Sequence, residues 1–315
     1  MRIVITGATG FIGSAVLRHL TAARDTGLHH GGVRLTVLGR SPSPQVGASA
    51  DVWRTADLAV PDSLAFTCRH ADVLLHLGGT LSRDPEVCRT VNVAGTAALM
   101  REARRAGTRR IIHLSTAAVY GPGPHRGLEV NETTPDPVSP ASISRLAAEQ
   151  YALAAGGTVL RPGLVLGEGD RWVVPALAEL LDRVPALWDG GRAQHSAIDV
   201  HSLAGLIATL ALRDDLVPPG IFHASHPQPV TTEQLLGSLA DLGVLKRVSE
   251  PWGWERCLQA FRASPGSISE RQFHLLAQDH WYISEAIWKS AALNPGAAPH
   301  LRLAGARDWY QDLTR

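Results

Sequence analysis

The sequence predicts an α/β fold, a doubly wound parallel sheet followed by a smaller C-terminal region. Through the first half, short apolar runs rich in β-branched residues alternate with segments of helical periodicity. Near-continuous apolar strands are typical of a parallel sheet that helices cover on both faces. After Gly167 the segments become irregular and prolines more frequent, so we place the start of a second region there.

The elements follow from these patterns in chain order. The predicted strands are Arg2–Thr6, Arg34–Leu38, Asp51–Thr55, Val73–Leu77, Arg110–Ser115 and Thr158–Arg161. The predicted helices are Phe11–Ala23, Pro85–Ala106 and Ser142–Ala155. A strand near Gly220–Ala224 is expected to return to the main sheet, so pieces of the second region interrupt its last strands.

Length and composition narrow the class of protein. The chain of 315 residues, 45% hydrophobic and 19% charged, is globular with a generous core. We divide it at residue 166, into regions 1–166 and 167–315. The formal net charge of +1 gives no field that favours nucleic acid or an anionic membrane as a partner.

The cysteines and the first residues indicate the cellular compartment and whether a metal is bound. Three widely spaced cysteines without a C-x-x-C motif support neither a disulfide framework nor a metal site. The first residues lack a basic segment followed by an apolar core, and no apolar run of about 18 residues occurs. We therefore expect a cytoplasmic protein without bound metal.

A glycine-rich turn joins the first strand to the first helix. In Gly7-Ala8-Thr9-Gly10-Phe11-Ile12-Gly13, the first glycine permits the tight turn and the second lets the backbone approach a pyrophosphate. The third allows close packing of helix on strand, and amides at the helix start face the anion. This placement indicates a Rossmann-type dinucleotide site. Its predicted contacts are Gly7, Thr9, Gly10, Phe11, Ile12 and Gly13.

The end of the second strand indicates which dinucleotide binds. NAD-specific folds place a carboxylate there for the ribose 2′-hydroxyl, whereas this chain has Arg40 and Ser41. A guanidinium suits a 2′-phosphate, so we predict NADP(H), although a solvated surface arginine would look the same in sequence. Asp57 and Leu58 follow the third strand, where such folds cover the adenine; Leu58 could equally belong to the core.

Further motifs lie along the chain in a consistent order. They are His76-Leu77-Gly78-Gly79, Asn92–Thr96, Ser115–Gly121, Arg161–Gly167 and Tyr282–Pro295. With the glycine-rich turn, they resemble the extended short-chain dehydrogenase/reductase family, the NAD-dependent epimerase/dehydratase group. The resemblance implies nicotinamide-cofactor chemistry at a carbonyl or alcohol. It adds these cofactor contacts to those above: Leu77, Gly78, Gly79, Asn92, Ser115, Arg145, Pro162, Leu164 and Val165.

The same resemblance locates the catalytic positions. The family carries a serine or threonine four residues before the tyrosine of its Tyr-Gly pair, which here is Thr116. Its catalytic tyrosine and lysine, one helical turn apart, fall on Ala141 and Arg145. No realignment restores them, because the only lysines are Lys246 and Lys289. Arg145 can hold ribose hydroxyls, but it is too basic to share a proton.

Other side chains have a structural and a functional interpretation. His76 and His195 lie at the ends of predicted strands and are more often satisfied or solvent-facing histidines than general acids. Residues 252–288 hold seven of the seventeen aromatic residues. Each could belong to a helical core, yet together they suit the wall of a pocket for a flat apolar substrate.

Three hypotheses of function follow. The first is an NADPH-dependent ketoreductase acting on an aromatic polyketide-like metabolite, resembling the tailoring enzymes of angucycline antibiotics such as simocyclinone, with protonation assisted by the substrate. The second is a catalytically silent NADP(H)-sensing regulator, and the third is a sugar-nucleotide epimerase or dehydratase. We expect a small aromatic molecule as partner, and a monomer or homodimer.

Overall fold

A computed structural model describes residues 1–26, 32–43, 46, 49–213, 215 and 217–314. Its main sheet has seven strands: β1 (Arg2–Thr6), β2 (Arg34–Gly39), β3 (Val52–Thr55), β4 (Val73–His76), β5 (Arg110–Leu114), β7 (Thr158–Arg161) and β12 (Gly220–His223). The shorter strands are β6 (His125–Leu128), β8 (Leu164–Leu166), β9 (Leu187–Trp188), β10 (Gln194–His195), β11 (Ala197–Asp199), β13 (Val230–Thr231), β14 (Pro251–Trp252) and β15 (His280–Tyr282).

Helices cover the sheet and build the C-terminal region. Those of the first half are α1 (Phe11–Asp25), α2 (Pro85–Cys88), α3 (Gly95–Arg105) and α4 (Pro140–Ala154). Those of the second half are α5 (Val173–Arg183), α6 (Val200–Leu212), α7 (Thr232–Asp241), α8 (Trp254–Ala263), α9 (Glu270–Ala277), α10 (Glu285–Ala291) and α11 (Arg307–Thr314).

The main sheet is parallel throughout, and the order in which its strands are added reverses once. Its order is β12-β7-β5-β4-β1-β2-β3, so the chain runs outward from β1 to β3 and then returns beside β1 with β4. In open parallel sheets, ligands bind at the carboxyl ends of the strands where the order reverses. The crevice above β1 and β4 is therefore the expected site, and the predicted doubly wound fold is confirmed.

The two largest hydrophobic cores among the described residues do not divide the chain at one point in the sequence. The first core joins the main sheet and α1 to residues 198–211 and 287–291. The second combines α5, α7, α8 and α9 with residues 303–310. The predicted return of β12 to the main sheet is present, where it pairs with β7. Segments beyond residue 166 thus complete the nucleotide-binding half.

The aromatic residues of 252–288 mainly pack these cores. Phe261 and Phe273 stack in the second core with their ring centroids 5.0 Å apart. Trp288 is buried in the first core, and Tyr282 belongs to a separate small buried cluster. The interpretation of this segment as a pocket wall is wrong for these four residues, because packing in the protein already uses their apolar surface. Tyr282, on β15, stacks on Tyr120 with ring centroids 5.0 Å apart.

The predicted helix Pro85–Ala106 has an unexpected centre. Between α2 and α3, residues Arg89–Ala94 form a π-helical turn, which widens the helix where Asn92 is buried. Helix α4 begins two residues earlier than predicted, because Ser139 and Ser142 form a capping box and Pro140 occupies the first turn.

Among the described residues, no helix is both long and apolar enough to cross a membrane.

Candidate active site

The glycines of the phosphate loop are required by close backbone packing. Gly7 has φ +75°, and a Cβ there would lie 2.5 Å from the amide nitrogen of Gly78. A Cβ on Gly13 would overlap the carbonyl oxygen of Gly7. At Gly10, by contrast, a Cβ would meet only that oxygen, at 3.3 Å, so its other side is open. The loop is compressed against the sheet and accessible from the crevice.

This cradle fits the pyrophosphate of a dinucleotide. Gly10 precedes α1, and no side chain caps the amides of the first turn. Uncapped amides at a helix start carry partial positive charge and need acceptors. An anion at the open side of Gly10 would accept hydrogen bonds from these amides and complement their positive charge.

The residues predicted to bind the adenosine follow β2 and β3. Arg40 is exposed and makes no ion pair within the described part of the chain, so its charge is available to a 2′-phosphate. Asp57 accepts a hydrogen bond from the amide of Ala59 at 2.9 Å and shapes the turn. Leu58 lies 3.3 Å from the position of a Cβ on Gly78 and also packs against the core.

Asn92 ties the loop after β4 to helix α4. Its amide oxygen accepts from the Thr80 amide at 2.7 Å, and its nitrogen donates to the Thr80 carbonyl and to Ser144 Oγ at 3.0 and 2.8 Å. A Cβ on Gly79 would come within 2.9 Å of the Asn92 oxygen. Asn92 therefore fixes the backbone of the loop after β4, and both polar atoms of its side chain are hydrogen-bonded.

Arg145 provides a cation at the carboxyl ends of the central strands. Its guanidinium donates to the carbonyl oxygen of Leu114 at 3.1 Å and lies 3.4 Å from the position of a Cβ on Gly79. Burial of the guanidinium lowers the pKa of Arg145, and no carboxylate pairs with it in the described residues. Its remaining N–H groups can bind ribose hydroxyls.

The Thr116 hydroxyl donates no hydrogen bond within the described part of the chain. Its Oγ1 accepts from the Ala118 amide at 3.1 Å, which orients the side chain at the start of the turn Ala117–Tyr120. Ala141 lies in the first turn of α4 and offers no acid. Ser142 is occupied by the capping box and Ser144 by Asn92, so neither replaces the tyrosine.

The segment Arg161–Leu166 joins the two halves of the crevice. The Pro162 carbonyl accepts from the Ala117 amide at 2.8 Å, which couples this segment to the turn after Thr116. Leu164 and Val165 belong to β8, beside β11; Leu164 packs against the second core and Val165 against the first. Their partly buried side chains can line a nicotinamide ring.

A buried polar network lies next to the turn Ala117–Tyr120. The Ser115 hydroxyl donates to Glu149, and the Arg161 guanidinium pairs with the same carboxylate. Arg161 also donates to Tyr120 Oη at 2.8 Å, and this hydroxyl bonds His223 Nε2 at 2.7 Å. Because the Ser115 amide also bonds the Leu160 carbonyl, both donors of Ser115 are engaged within the protein.

Sequence reasoning missed the roles of Glu149 and Tyr120. Glu149 shares the buried face of α4 with Ala148 and Ala152 and is itself fully buried. A charge on the apolar face of a predicted helix requires a buried partner, and that was the available signal.

The two histidines considered as acids are buried and neutral. His76 bonds Thr6 Oγ1 at 2.7 Å and Thr96 Oγ1 at 2.8 Å, and burial lowers its pKa to about 3. His195 bonds Thr232 Oγ1 at 2.9 Å, and burial likewise lowers its pKa to about 3. Neither can hold a proton near neutrality, which fits the expectation that they are core histidines. Both ring nitrogens of His76 are hydrogen-bonded, whereas Nδ1 of His195 has no partner among the described residues.

A cavity of about 340 Å³ is lined by Pro122–Gly123 and by residues of helix α9. Arg271, His274 and His280 contribute to its lining. Its size falls within the range of small-molecule sites.

The fold and the phosphate loop define a nicotinamide-dinucleotide-binding protein of the doubly wound class. The profile of the NAD dependent epimerase/dehydratase family matches residues 3–224, and the chain belongs to that family.

Relatives and solved structures agree with this assignment. A 2-alkyl-3-oxoalkanoate reductase from Stenotrophomonas maltophilia is 28% identical over 88% of this chain and 84% of its own. A 4-hydroxy-2-methyl-3-oxo-4-farnesyl-3,4-dihydroquinoline-1-oxide ketoreductase from Stigmatella aurantiaca is 28% identical over 96% of this chain and 85% of its own. The structure of a UDP-glucose 4-epimerase from Thermotoga maritima superposes with a TM-score of 0.73, at 17% identity and full coverage of both chains.

Proposed function

We propose that the protein is an NADPH-dependent ketoreductase that reduces a carbonyl of an aromatic polyketide-like molecule. The observation that carries this proposal is the composition of the site. The phosphate cradle, Thr116 and a carboxylate-free Arg145 are present, whereas the usual proton donor is replaced by Ala141. Two relatives match most of the chain, one named a ketoreductase and the other a reductase of an oxoalkanoate. Both names support carbonyl reduction.

The proposed mechanism assigns a limited task to each side chain. When bound, a nicotinamide cofactor would supply the hydride that the carbonyl carbon receives. Thr116 donates a hydrogen bond to the carbonyl oxygen as negative charge develops there. Arg145 holds ribose hydroxyls and adds positive charge near the developing alkoxide. Asn92 keeps the opposing loop in place through its bonds to Thr80.

The proton for the alkoxide comes from the substrate in this proposal. Arg145 keeps its proton near neutrality even with its lowered pKa, and His76 and His195 have none to give. A phenol next to the carbonyl already shares its proton with that oxygen. It thus polarises the carbonyl and becomes the phenolate when the alcohol forms. The protein contributes orientation and exclusion of water.

Methylation of that phenol tests the proposal. With NADPH and a panel of polycyclic ketones, we expect turnover of a peri-hydroxy ketone. The rate should fall by about 10²–10⁴ for its methyl ether, the usual contribution of a positioned acid. Binding, measured by equilibrium dialysis, should change little. Equal rates for phenol and ether would show that the protein carries its own acid, and no turnover of any ketone would contradict ketoreductase activity.

Arg40 should determine cofactor preference. Arg40→Asp replaces a charge-assisted pair with repulsion, so we expect NADPH binding to weaken by about 2 kcal/mol or more. NADH binding should weaken little, because it lacks the 2′-phosphate. Fluorescence titration measures both constants, with exposed Arg104→Gln as the control. Equal affinity of the wild type for the two cofactors would contradict NADPH specificity.

Thr116 should act on the rate rather than on cofactor binding. Thr116→Val keeps the shape but removes the donor, so we expect kcat to fall by about 10²–10³ with NADPH affinity unchanged. Thr116→Ser should retain most of the activity. A Val variant with the wild-type rate would show that Thr116 only supports the turn Ala117–Tyr120.

A further inference from the structure

The loop Gly167–Trp172 is fixed by the last helix. Tyr310 Oη accepts from the Gly167 amide at 2.6 Å and donates to the Asp170 carboxylate at 3.2 Å. Trp309 Nε1 donates to the Asp170 carbonyl at 2.9 Å. Asp170 also accepts from the first amides of α5, and it is buried. Helix α11 therefore holds this loop in one conformation.

The same loop contacts the start of the phosphate-binding helix. Gly169 has φ +103°, and a Cβ there would lie 2.6 Å from Phe11 Cδ2. Phe11 is the first residue of α1 and follows Gly10 directly. The loop thus borders the helix terminus where the pyrophosphate is expected.

Arg171 brings an available positive charge to this border. It follows Gly169 by two residues, a separation of at most about 7 Å between Cα atoms. Its side chain is exposed, and its guanidinium lies over the Trp309 ring at 5.6 Å, near the limit of a cation–π contact. It has no ion pair within the part of the chain that the structure describes. The segment Gly7–Gly13 itself carries no charged residue.

We propose that Arg171 is a further cofactor-binding residue that pairs with the pyrophosphate, on a loop wall that helix α11 holds in place. This inference rests on the dinucleotide binding of the proposed function. It assigns the last helix a role in cofactor affinity. Glu168, exposed on the same loop, opposes the anion, and Asp170 contributes little because its carboxylate is saturated with hydrogen bonds.

The test compares both cofactors, because the pyrophosphate is common to them. Arg171→Gln should weaken NADPH and NADH alike by about three- to fivefold, the range of an exposed ion pair. The loss should shrink as salt is raised. Glu168→Gln should tighten both cofactors slightly, and Arg104→Gln, in the last turn of α3 before the amino end of β5, should change neither. All these substitutions are at exposed positions, and unchanged melting temperatures would verify folding.

A second readout reports the position of the loop. Trp172 is 63% exposed beside Arg171, so bound NADPH should quench its emission by energy transfer. Trp172→Phe should reduce that quenching while NADPH still binds. Unchanged affinities in Arg171→Gln, or a loss for NADPH alone, would overturn this inference and leave the proposed function intact. A wild-type chain that binds neither cofactor would overturn both.

Discussion

The free energy of unfolding should fall steeply as the pH drops from 6.5 towards 5. Four buried histidines share the cause, since burial holds the pKa of His76, His113, His195 and His223 below the ordinary value. In the unfolded chain each would bind a proton near pH 6.5. His76, His195 and His223 therefore each destabilise the fold by about 2 kcal/mol at pH 5. His113 acts in the same direction, and the combined loss approaches the whole stability of a typical domain.

The sign follows from proton uptake. The folded pKa is about 3 for His76 and His195 and about 4 for His223. At a pH between this folded pKa and the unfolded pKa, the histidine is protonated only in the unfolded chain. Stability is fully present above that window and is lost as the pH falls through it. Burial raises the pKa of Asp170, which opposes the trend, but one carboxyl cannot offset four imidazoles.

His113 offers the sharpest measurement of this effect. Among the residues that the structure describes, neither of its ring nitrogens has a hydrogen-bond partner, and its ring stacks on His76 with centroids 4.9 Å apart. In urea unfolding between pH 6 and 5, His113→Phe should reduce the pH slope by about 1.4 kcal/mol per unit, one proton. His70→Asn is the control. His70 is exposed and has a left-handed backbone conformation, which asparagine tolerates, so this variant should keep the wild-type slope. A slope unaffected by the Phe substitution would refute the assignment.

Removal of either member of the Glu149–Arg161 pair should cost about 3–5 kcal/mol of folding stability. Both side chains are almost completely buried, so Arg161→Met leaves an uncompensated carboxylate and Glu149→Gln an uncompensated guanidinium. The loss should also reach the site, because Ser115 donates to the same carboxylate and precedes Thr116. We expect both single variants to melt well below the wild type.

The double variant measures the interaction energy between Glu149 and Arg161 separately from the effect of each substitution. With both charges gone, no buried ion remains, and Glu149→Gln with Arg161→Met should cost much less than the sum of the singles. Tyr120 would still lose a donor, so full recovery is not expected. Urea unfolding of the four proteins gives the coupling energy. Additive losses would mean that the charges do not compensate each other in the folded state.

The nucleotide-binding half could be predicted because its signals are local. Strands β1 and β7 were predicted with their observed bounds, and the other main-sheet strands to within one residue, because buried parallel strands are continuous apolar runs. The phosphate loop follows from three glycines whose spacing has a steric cause. The absence of the tyrosine and lysine is likewise visible, since Ala141 and Arg145 fall on a well-defined helix.

The remaining features depend on contacts between distant residues. Whether Phe261 and Phe273 face a pocket or a core depends on which helices pack against them, and period alone does not give that. The contact of Gly169 with Phe11 joins residues more than 150 positions apart. Thr80 and Ser144 meet at Asn92 through a π-helical turn, which has no signature in the hydrophobic pattern.

The late return of β12 affects how the chain can fold during synthesis. Until β12 has left the ribosome, the edge of β7 has no strand beside it, and α1 lacks α6, its partner in the first core. At about 5–20 residues per second, the segment between β7 and β12 keeps that edge unpaired for several seconds. An unpaired, apolar parallel strand is a template for association with other chains. A chain released near residue 166 should therefore aggregate, and nascent chains of that length are the ones that a chaperone should bind.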